Sequence, residues 1–165
     1  MTHLQLKPNP WSCAITSLAM VLQRPVEQLI EEIGHDGSEI IFPGLDEPMQ
    51  RRGFHSQELI HLAWQHGFSV TAFELFPAIV PTSGGSVSVP VYFGQARGNW
   101  ERLIDMIHTT QGVLAGRCSP NGVRHAVCYD HGEIFDPDGC QYQYSREECE
   151  SRGFYGNRAL VFIHH

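Results

Sequence analysis

The sequence has 165 residues, of which 42% are hydrophobic and 18% are charged. This composition excludes an intrinsically disordered chain and is typical of one globular domain, which we expect to span residues 1–165. The formal net charge of −7 argues against nucleic acid or an anionic membrane as the main partner, because both are bound through basic patches.

The five cysteines, an odd number, include no Cys-x-x-Cys pair and are spaced unlike a common zinc module. The sequence shows no signal peptide and no apolar run long enough to span a membrane. We therefore expect free thiols, a cytoplasmic location and no cofactor. The oligomeric state stays open.

The first half of the chain is predicted to be mainly helical. Residues 1–9 form an extended arm, and Ser12 is a good N-cap for a helix that begins at about Cys13. Apolar residues recur along this helix at the spacing of one helical face, namely at Ile15, Leu18, Ala19 and Leu22. Second and third helices are predicted at 25–33 and 57–66, each followed by a glycine.

The second half of the chain is predicted to consist mainly of strands. Irregular segments are expected at 38–54 and 77–90, where prolines and glycines cluster. A fourth helix, capped by Asn99, is predicted at 100–109, and a short fifth helix follows a capping box at Ser145. Strands are predicted at 68–75, 91–93, 112–117, 124–129, 133–136 and 158–163. A chain in which helices come first and mostly antiparallel strands come last has the order of an α+β protein.

Cys13 lies in the first turn of the first predicted helix, where backbone N–H groups are unpaired and the helix dipole is positive. Both features favour a thiolate over a thiol, and therefore a nucleophile at neutral pH. The alternative is that Cys13 is a small buried apolar residue, as free cysteines commonly are. The choice depends on partners elsewhere in the chain.

A candidate base and a candidate carboxylate come together in a hairpin near the C-terminus. The turn at 130–132 makes its two strands antiparallel, so residues pair at a roughly constant index sum of about 262. His125 then falls opposite Pro137, and Asp136 lies near enough to accept a hydrogen bond from the imidazole. Because proline cannot donate to a ladder, strand pairing ends at Asp136. Cys128 is on the opposite strand face from His125 and is expected in the core.

Asp130, His131 and Asp138 flank the same hairpin and could suggest a metal site. Polar residues at a hairpin tip are usually solvated, so we expect no metal there. Nucleophilic and acid–base chemistry is the better-supported use of this region.

Cys13, His125 and Asp136 supply the three roles that thiol catalysis needs. The thiolate attacks, the imidazole takes and returns a proton, and the carboxylate fixes the tautomer and orientation of the ring. Acyl transfer also needs hydrogen-bond donors for the oxyanion, and the N–H of Cys13 is one. The second could be an upstream side-chain amide, from Gln5 or Asn9.

This order of residues resembles the papain-like cysteine peptidase superfamily, most closely its small bacterial and phage domains related to bacteriocin-leader-processing peptidases. The stretch 124–129 followed by Asp136-Pro137 is similar to their histidine hairpin, and Cys13 with residues 14–18 is similar to their nucleophile helix. The resemblance implies a papain-like α+β fold. In that fold a helical N-terminal half carries the nucleophile and packs on a mostly antiparallel sheet, with the substrate in the cleft between them.

The position of the oxyanion glutamine departs from the pattern of this superfamily. There it usually lies six residues before the nucleophile, a position that Lys7 takes here. Gln5 lies eight residues before Cys13, and the intervening proline-rich loop could absorb the two extra residues. We therefore prefer Gln5 as the second oxyanion donor and keep Asn9 as the alternative. Asn9 is also a candidate for substrate binding, as is Trp11, which could line a groove or simply pack under the helix.

The sequence therefore predicts a cysteine peptidase that hydrolyses a peptide or isopeptide bond in a protein or peptide substrate. Two alternatives stay open. The displaced glutamine favours a catalytically silent papain-like binding protein, since fold does not fix function. The same three residues would also serve a deamidase or a transglutaminase-type effector.

Overall fold

The computed structural model describes residues 1–74, 78–82, 85–89, 97–118 and 122–165. The described residues form five helices: α1 (Cys13–Leu22), α2 (Val26–Ile33), α3 (Ser56–Gln65), α4 (Arg97–Thr109) and α5 (Arg146–Arg152). They also form eight strands: β1 (Phe68–Glu74), β2 (Ala78–Thr82), β3 (Gly85–Val89), β4 (Gln111–Cys118), β5 (Arg124–Asp130), β6 (Glu133–Asp136), β7 (Cys140–Gln143) and β8 (Phe154–His164).

Six of these strands form one sheet in the order β1-β8-β4-β5-β6-β7, while β2 and β3 form a separate hairpin. Every neighbouring pair in the large sheet is antiparallel. The combination of helices with an antiparallel sheet confirms the predicted α+β class. No helix among the described residues is both long enough and apolar enough to cross a bilayer.

The large sheet has a hydrophobic core on each face. On one face, α1, α2 and α3 pack against strand residues that include Ala126 and Cys128. On the other face, side chains of α4 and α5 pack against residues that include Val127 and Tyr129. This alternation is the two-residue period of a strand, and it buries both faces of β5. The prediction that Cys128 belongs to the core is confirmed, because its side chain is fully buried.

Helix α1 lies at the centre of the first core. Ile15, Leu18 and Ala19 have no exposed surface, and the helix packs against β4, β5, α2 and α3. It ends at Leu22, because Gln23 takes a left-handed conformation with a φ of 54°. Burial of nearly the whole helix fixes the position of Cys13 at its start.

Residues 1–9 have no regular secondary structure, as expected of an extended arm. Hydrogen bonds join the arm to two turns of the large sheet. Thr2 Oγ1 donates to Asp130 Oδ2 at 2.8 Å, where β5 turns into β6. Lys7 N donates to Pro137 O at 3.1 Å, in the turn between β6 and β7.

The structure differs from the prediction in three elements. The segment 77–90 contains the β2–β3 hairpin, because its β-branched residues favour pairing in spite of the prolines and glycines around them. Helix α4 begins at Arg97, so Asn99 lies inside the helix and does not cap it. Strand β7 was not predicted, since its alternation is only four residues long. The predicted strand at 91–93 lies outside the described residues.

Candidate active site

Cys13 is presented by the first turn of α1, half-buried at the edge of the first core. Ser12 precedes it, but the hydroxyl of Ser12 donates to Asn9 O at 3.0 Å and makes no capping bond to the helix. The first helical hydrogen bond joins Thr16 N to Ser12 O at 3.0 Å. The N–H groups before it have no partner within the helix, so this end of α1 favours a negative charge on or near the thiol.

His125 and Asp136 form a buried pair at the ends of β5 and β6. His125 Nε2 lies 2.9 Å from Asp136 Oδ1, and each residue is 8% exposed. The strands pair with Cys128 opposite Phe135, which is one residue away from the predicted register. The predicted hydrogen bond is therefore present, but it joins diagonal neighbours rather than directly opposed residues.

A tight turn after β6 fixes the carboxylate of Asp136. Gly139 N donates to Asp136 O at 2.8 Å, and Asp138 N donates to Asp136 Oδ1 at 2.9 Å. Pro137 suits the first corner of such a turn, and Gly139 has a φ of 104°, which favours glycine. The same oxygen of Asp136 thus accepts from the turn and from His125.

Cys13 interacts electrostatically with this pair, because it affects the pKa of His125. Burial by itself lowers the pKa of His125, but hydrogen bonds with Asp136 and Cys13 outweigh burial and raise that pKa. Burial by itself raises the pKa of Asp136, but the hydrogen bond from His125 and its charge produce a net lowering. The imidazolium–carboxylate pair is therefore the favoured form. Because Asp136 faces Nε2, the nitrogen left for the thiol is Nδ1.

Three further residues shape the site, and sequence reasoning missed all of them. The ring of Phe154 packs edge-on against His125, with 5.4 Å between centroids. Gly116 pairs with His125 across the sheet, and a Cβ there would lie 2.1 Å from Tyr155 O. The thiol of Cys118 lies within electrostatic reach of His125, and burial raises its pKa. Gly116 and Cys118 lie on β4, the strand that precedes β5, whereas Phe154 lies at the start of β8. No motif in the sequence marks these residues as parts of the site.

Gln5 does not lie at the site. Its Nε2 donates to Arg24 O at 2.7 Å, and its Oε1 accepts from Val26 N at 3.0 Å. These backbone groups follow the C-terminal end of α1, roughly 15 Å from Cys13 at 1.5 Å per helical residue. The prediction that Gln5 is the second oxyanion donor is therefore wrong, because its amide ties the arm to the junction of α1 and α2.

We expect Gln5→Ala to reduce stability without impairing the site. Loss of two hydrogen bonds should lower the free energy of unfolding by about 1–2 kcal/mol, as measured by urea denaturation. The reaction rate of Cys13 with iodoacetamide should stay at the wild-type value. A large loss of that rate in the folded variant would contradict this structural role.

Asn9 and Trp11 hold the loop that precedes Cys13. Asn9 Nδ2 donates to Asp36 O at 3.2 Å, and Asn9 Oδ1 accepts from Trp11 N at 3.2 Å. The guanidinium of Arg51 lies over the Trp11 ring, 4.9 Å from its centroid. The amide of Asn9 is therefore engaged within the loop, and Trp11 packs against the segment that follows α2. Their role in substrate binding stays a prediction.

Two carboxylates and the imidazole lie close enough together to resemble a metal site. His125, Asp136 and Asp138 each place one nitrogen or oxygen within 4.8 Å of the others. However, the ammonium of Lys7 forms an ion pair with Asp138, and Asp136 is hydrogen bonded to the imidazole. Since these groups already have partners of opposite charge, the arrangement suits proton transfer better than metal binding. The expectation of no metal stays a prediction.

A thiol in the first turn of a helix and a buried histidine–aspartate pair on an antiparallel sheet are groups that nucleophilic thiol chemistry can use. No family model and no curated protein sequence matches the chain. Its structure is similar to that of a double glycine motif protease from an AMS/PCAT transporter, in complex with the leader peptide. The TM-score is 0.57 at 15% identity, over 100% of this chain and 93% of that chain.

The structure is also similar to that of the peptidase domain of Streptococcus ComA, a bi-functional ABC transporter involved in a quorum sensing pathway. The TM-score is 0.55 at 12% identity, with all of both chains covered. At these identities the likeness establishes the fold. The chain has the papain-like fold that its sequence resemblance implied.

Proposed function

We propose that this protein is a cysteine peptidase that hydrolyses a peptide or isopeptide bond through Cys13, His125 and Asp136. The observation that carries the proposal is the buried imidazole of His125, which is hydrogen bonded to Asp136 and lies close enough to Cys13 for the thiol to raise its pKa. A base held between a thiol and a carboxylate is what activation of a thiol nucleophile requires. The likeness of the fold to two peptidase domains supports the same function.

The residues have defined roles in this proposal. The sulfur of Cys13 attacks the carbonyl carbon, and the oxyanion that forms accepts a hydrogen bond from Cys13 N at the positive end of α1. His125 then protonates the departing amine, which leaves a thioester. His125 next removes a proton from water, which hydrolyses the thioester and restores the thiol. Asp136 holds the ring and stabilises its charged form in both steps.

An exposed apolar surface near the site supports a peptide substrate. A hydrogen bond joins the two ends of the segment 38–54, where Arg52 N donates to Glu39 O at 2.7 Å. The segment exposes five large apolar side chains, those of Ile40, Ile41, Phe42, Leu45 and Met49. Arg51 of this segment contacts the ring of Trp11, which lies two residues before Cys13. We expect this surface to bind apolar side chains of a peptide that is cleaved after small residues.

Labelling with iodoacetamide tests the proposal. We expect Cys13 to react first among the five thiols of the wild-type protein, as located by peptide mass mapping. Replacing His125 with asparagine should slow this labelling by about 10²-fold or more, because the thiol loses its base. Unfolding of the variant is checked by circular dichroism.

His131→Asn is the matched control. His131 also pairs with an aspartate on the same hairpin, since its Nδ1 lies 2.6 Å from Asp130 Oδ1, but it is exposed. Asparagine tolerates the φ of 49° at this position. Labelling of Cys13 in this variant should match the wild type. Equal slowing in both variants would show that His125 does not act as a specific base.

The displacement of Gln5 favours one other candidate, a papain-like binding protein without turnover. The amide of Gln5 is held at the far end of α1, so the oxyanion would have fewer donors than in an active peptidase. This candidate predicts that Cys13 of the folded wild-type protein reacts no faster than an ordinary exposed thiol. It also predicts peptide binding without a change in peptide mass.

A further inference from the structure

The ammonium of Lys7 lies next to the carboxylates that surround His125. Lys7 is the sole lysine in the sequence, and its Nζ forms an ion pair with Asp138 Oδ1. Its backbone N–H also donates to Pro137 O at 3.1 Å. The arm is therefore attached to the turn that carries Asp136 through both main chain and side chain.

Two carboxylates approach the same nitrogen of His125. Asp136 Oδ1 lies 2.9 Å from Nε2, whereas Asp138 Oδ2 lies 3.9 Å from it, beyond hydrogen-bonding distance. A ring nitrogen carries one proton, so one carboxylate can accept it with good geometry. Asp138 is half-exposed, unlike the buried Asp136, so its ion pair with Lys7 rather than packing sets the direction of its side chain.

We propose that Lys7 is a positioning residue, which holds Asp138 away from His125 so that Asp136 alone orients the imidazole. Its consequence for turnover rests on the proposed peptidase function, whereas its effect on the ring does not. A ring shared between two carboxylates would tilt away from the single orientation in which its other nitrogen meets Cys13.

The charges around His125 agree with this role. The groups whose charges act on the ring are Cys13 from α1, Cys118 from β4, Asp136 at the end of β6, Asp138 from the turn after it, and Cys140 from β7. All five are anionic when ionised, so a cation from the arm offsets their mutual repulsion. Lys7 also contributes to the lowering of the pKa of Asp136, which keeps that carboxylate charged.

The test is a double-mutant cycle of Lys7→Met, Asp138→Asn and the two together. Lys7→Met should slow labelling of Cys13 about three- to fivefold, the range expected for a partly exposed ion pair. The double variant should recover the rate of Asp138→Asn alone, because no second carboxylate is left to compete. Lys7→Arg, which keeps the charge, should stay close to the wild type.

The titration of the His125 ring, followed by NMR, is the second measurement. Removal of the cation should raise the pKa of His125 by a fraction of a unit in Lys7→Met, and Asp138→Asn should cancel the rise. Arg146→Met removes the same charge from an exposed ion pair on α5 and should shift nothing.

The two measurements separate this inference from the proposed function. A double variant as slow as Lys7→Met, or a ring titration that Lys7→Met leaves unchanged, would overturn the positioning role. Because the titration requires no turnover, the expected shifts in a protein whose Cys13 does not react would support the positioning role and overturn the peptidase.

Discussion

Replacement of Cys13 by alanine is expected to abolish peptide hydrolysis, lowering kcat/KM by about 10⁴-fold or more. The reason is that the pathway through a thioester disappears with the sulfur, and the remaining imidazole is positioned for the thiol rather than for water. The measurement is the initial rate on a quenched fluorogenic peptide that carries apolar residues followed by Gly-Gly. Cys13 is half-buried at a helix end, so the variant should keep the wild-type melting temperature.

Cys140→Ala provides a matched control for this experiment. Its thiol is also half-buried near the site, since Cys140 pairs with Asp136 between β6 and β7. It lies beside Arg152, whose Nη1 is 3.5 Å from the sulfur, and it has no role in the proposed reaction. This variant should hydrolyse the peptide at the wild-type rate. Substantial hydrolysis by Cys13→Ala would contradict the assignment of the nucleophile.

The part of the site that sequence reasoning predicted best is local. His125 and Asp136 are 11 residues apart and joined by one tight turn, so the alternation of a hairpin almost determines their contact. An error of one residue in register did not remove it, because a carboxylate at a strand end can reach a diagonal neighbour. The prediction that Cys13 lies near His125 had another basis. The two residues are more than a hundred positions apart in the sequence, so the prediction followed from their chemical roles and from the resemblance.

The position of Gln5 could not be predicted by counting residues back from the nucleophile. The arm has no regular structure of its own, so its path depends on which partners its backbone and side chains find on the folded core. The groups at Arg24 and Val26 lie where one helix ends and the next begins, and such groups need hydrogen-bond partners. The amide of Gln5 supplies them. This requirement arises in the tertiary structure and has no signal in the sequence near Cys13.

Asp136→Asn is expected to lower kcat/KM by about 10²-fold or more, although its side chain is nearly the same size. An amide can present its N–H₂ to the ring, which would favour the wrong tautomer, and it carries no charge to stabilise the imidazolium. The pKa of His125 should fall, since the hydrogen bond with Asp136 raises it against the effect of burial. The alkaline limit of the activity profile should therefore move to lower pH. Asp130→Asn, at the exposed His131 pair, should leave that limit unchanged.

The same substitution should change the pH dependence of stability in a defined direction. The pKa of Asp136 is lowered on folding in spite of burial, so its contribution is present above the unfolded value of about 3.9 and is lost as the pH falls. The pKa of His125 is raised on folding, so its contribution is complete below about 6.5 and is lost as the pH rises. The difference in unfolding free energy between the wild type and Asp136→Asn should therefore be largest between about pH 4 and 6.5. Urea denaturation at about pH 3, 5.5 and 9 measures it, and an equal difference at all three would show that the pair is not ionic.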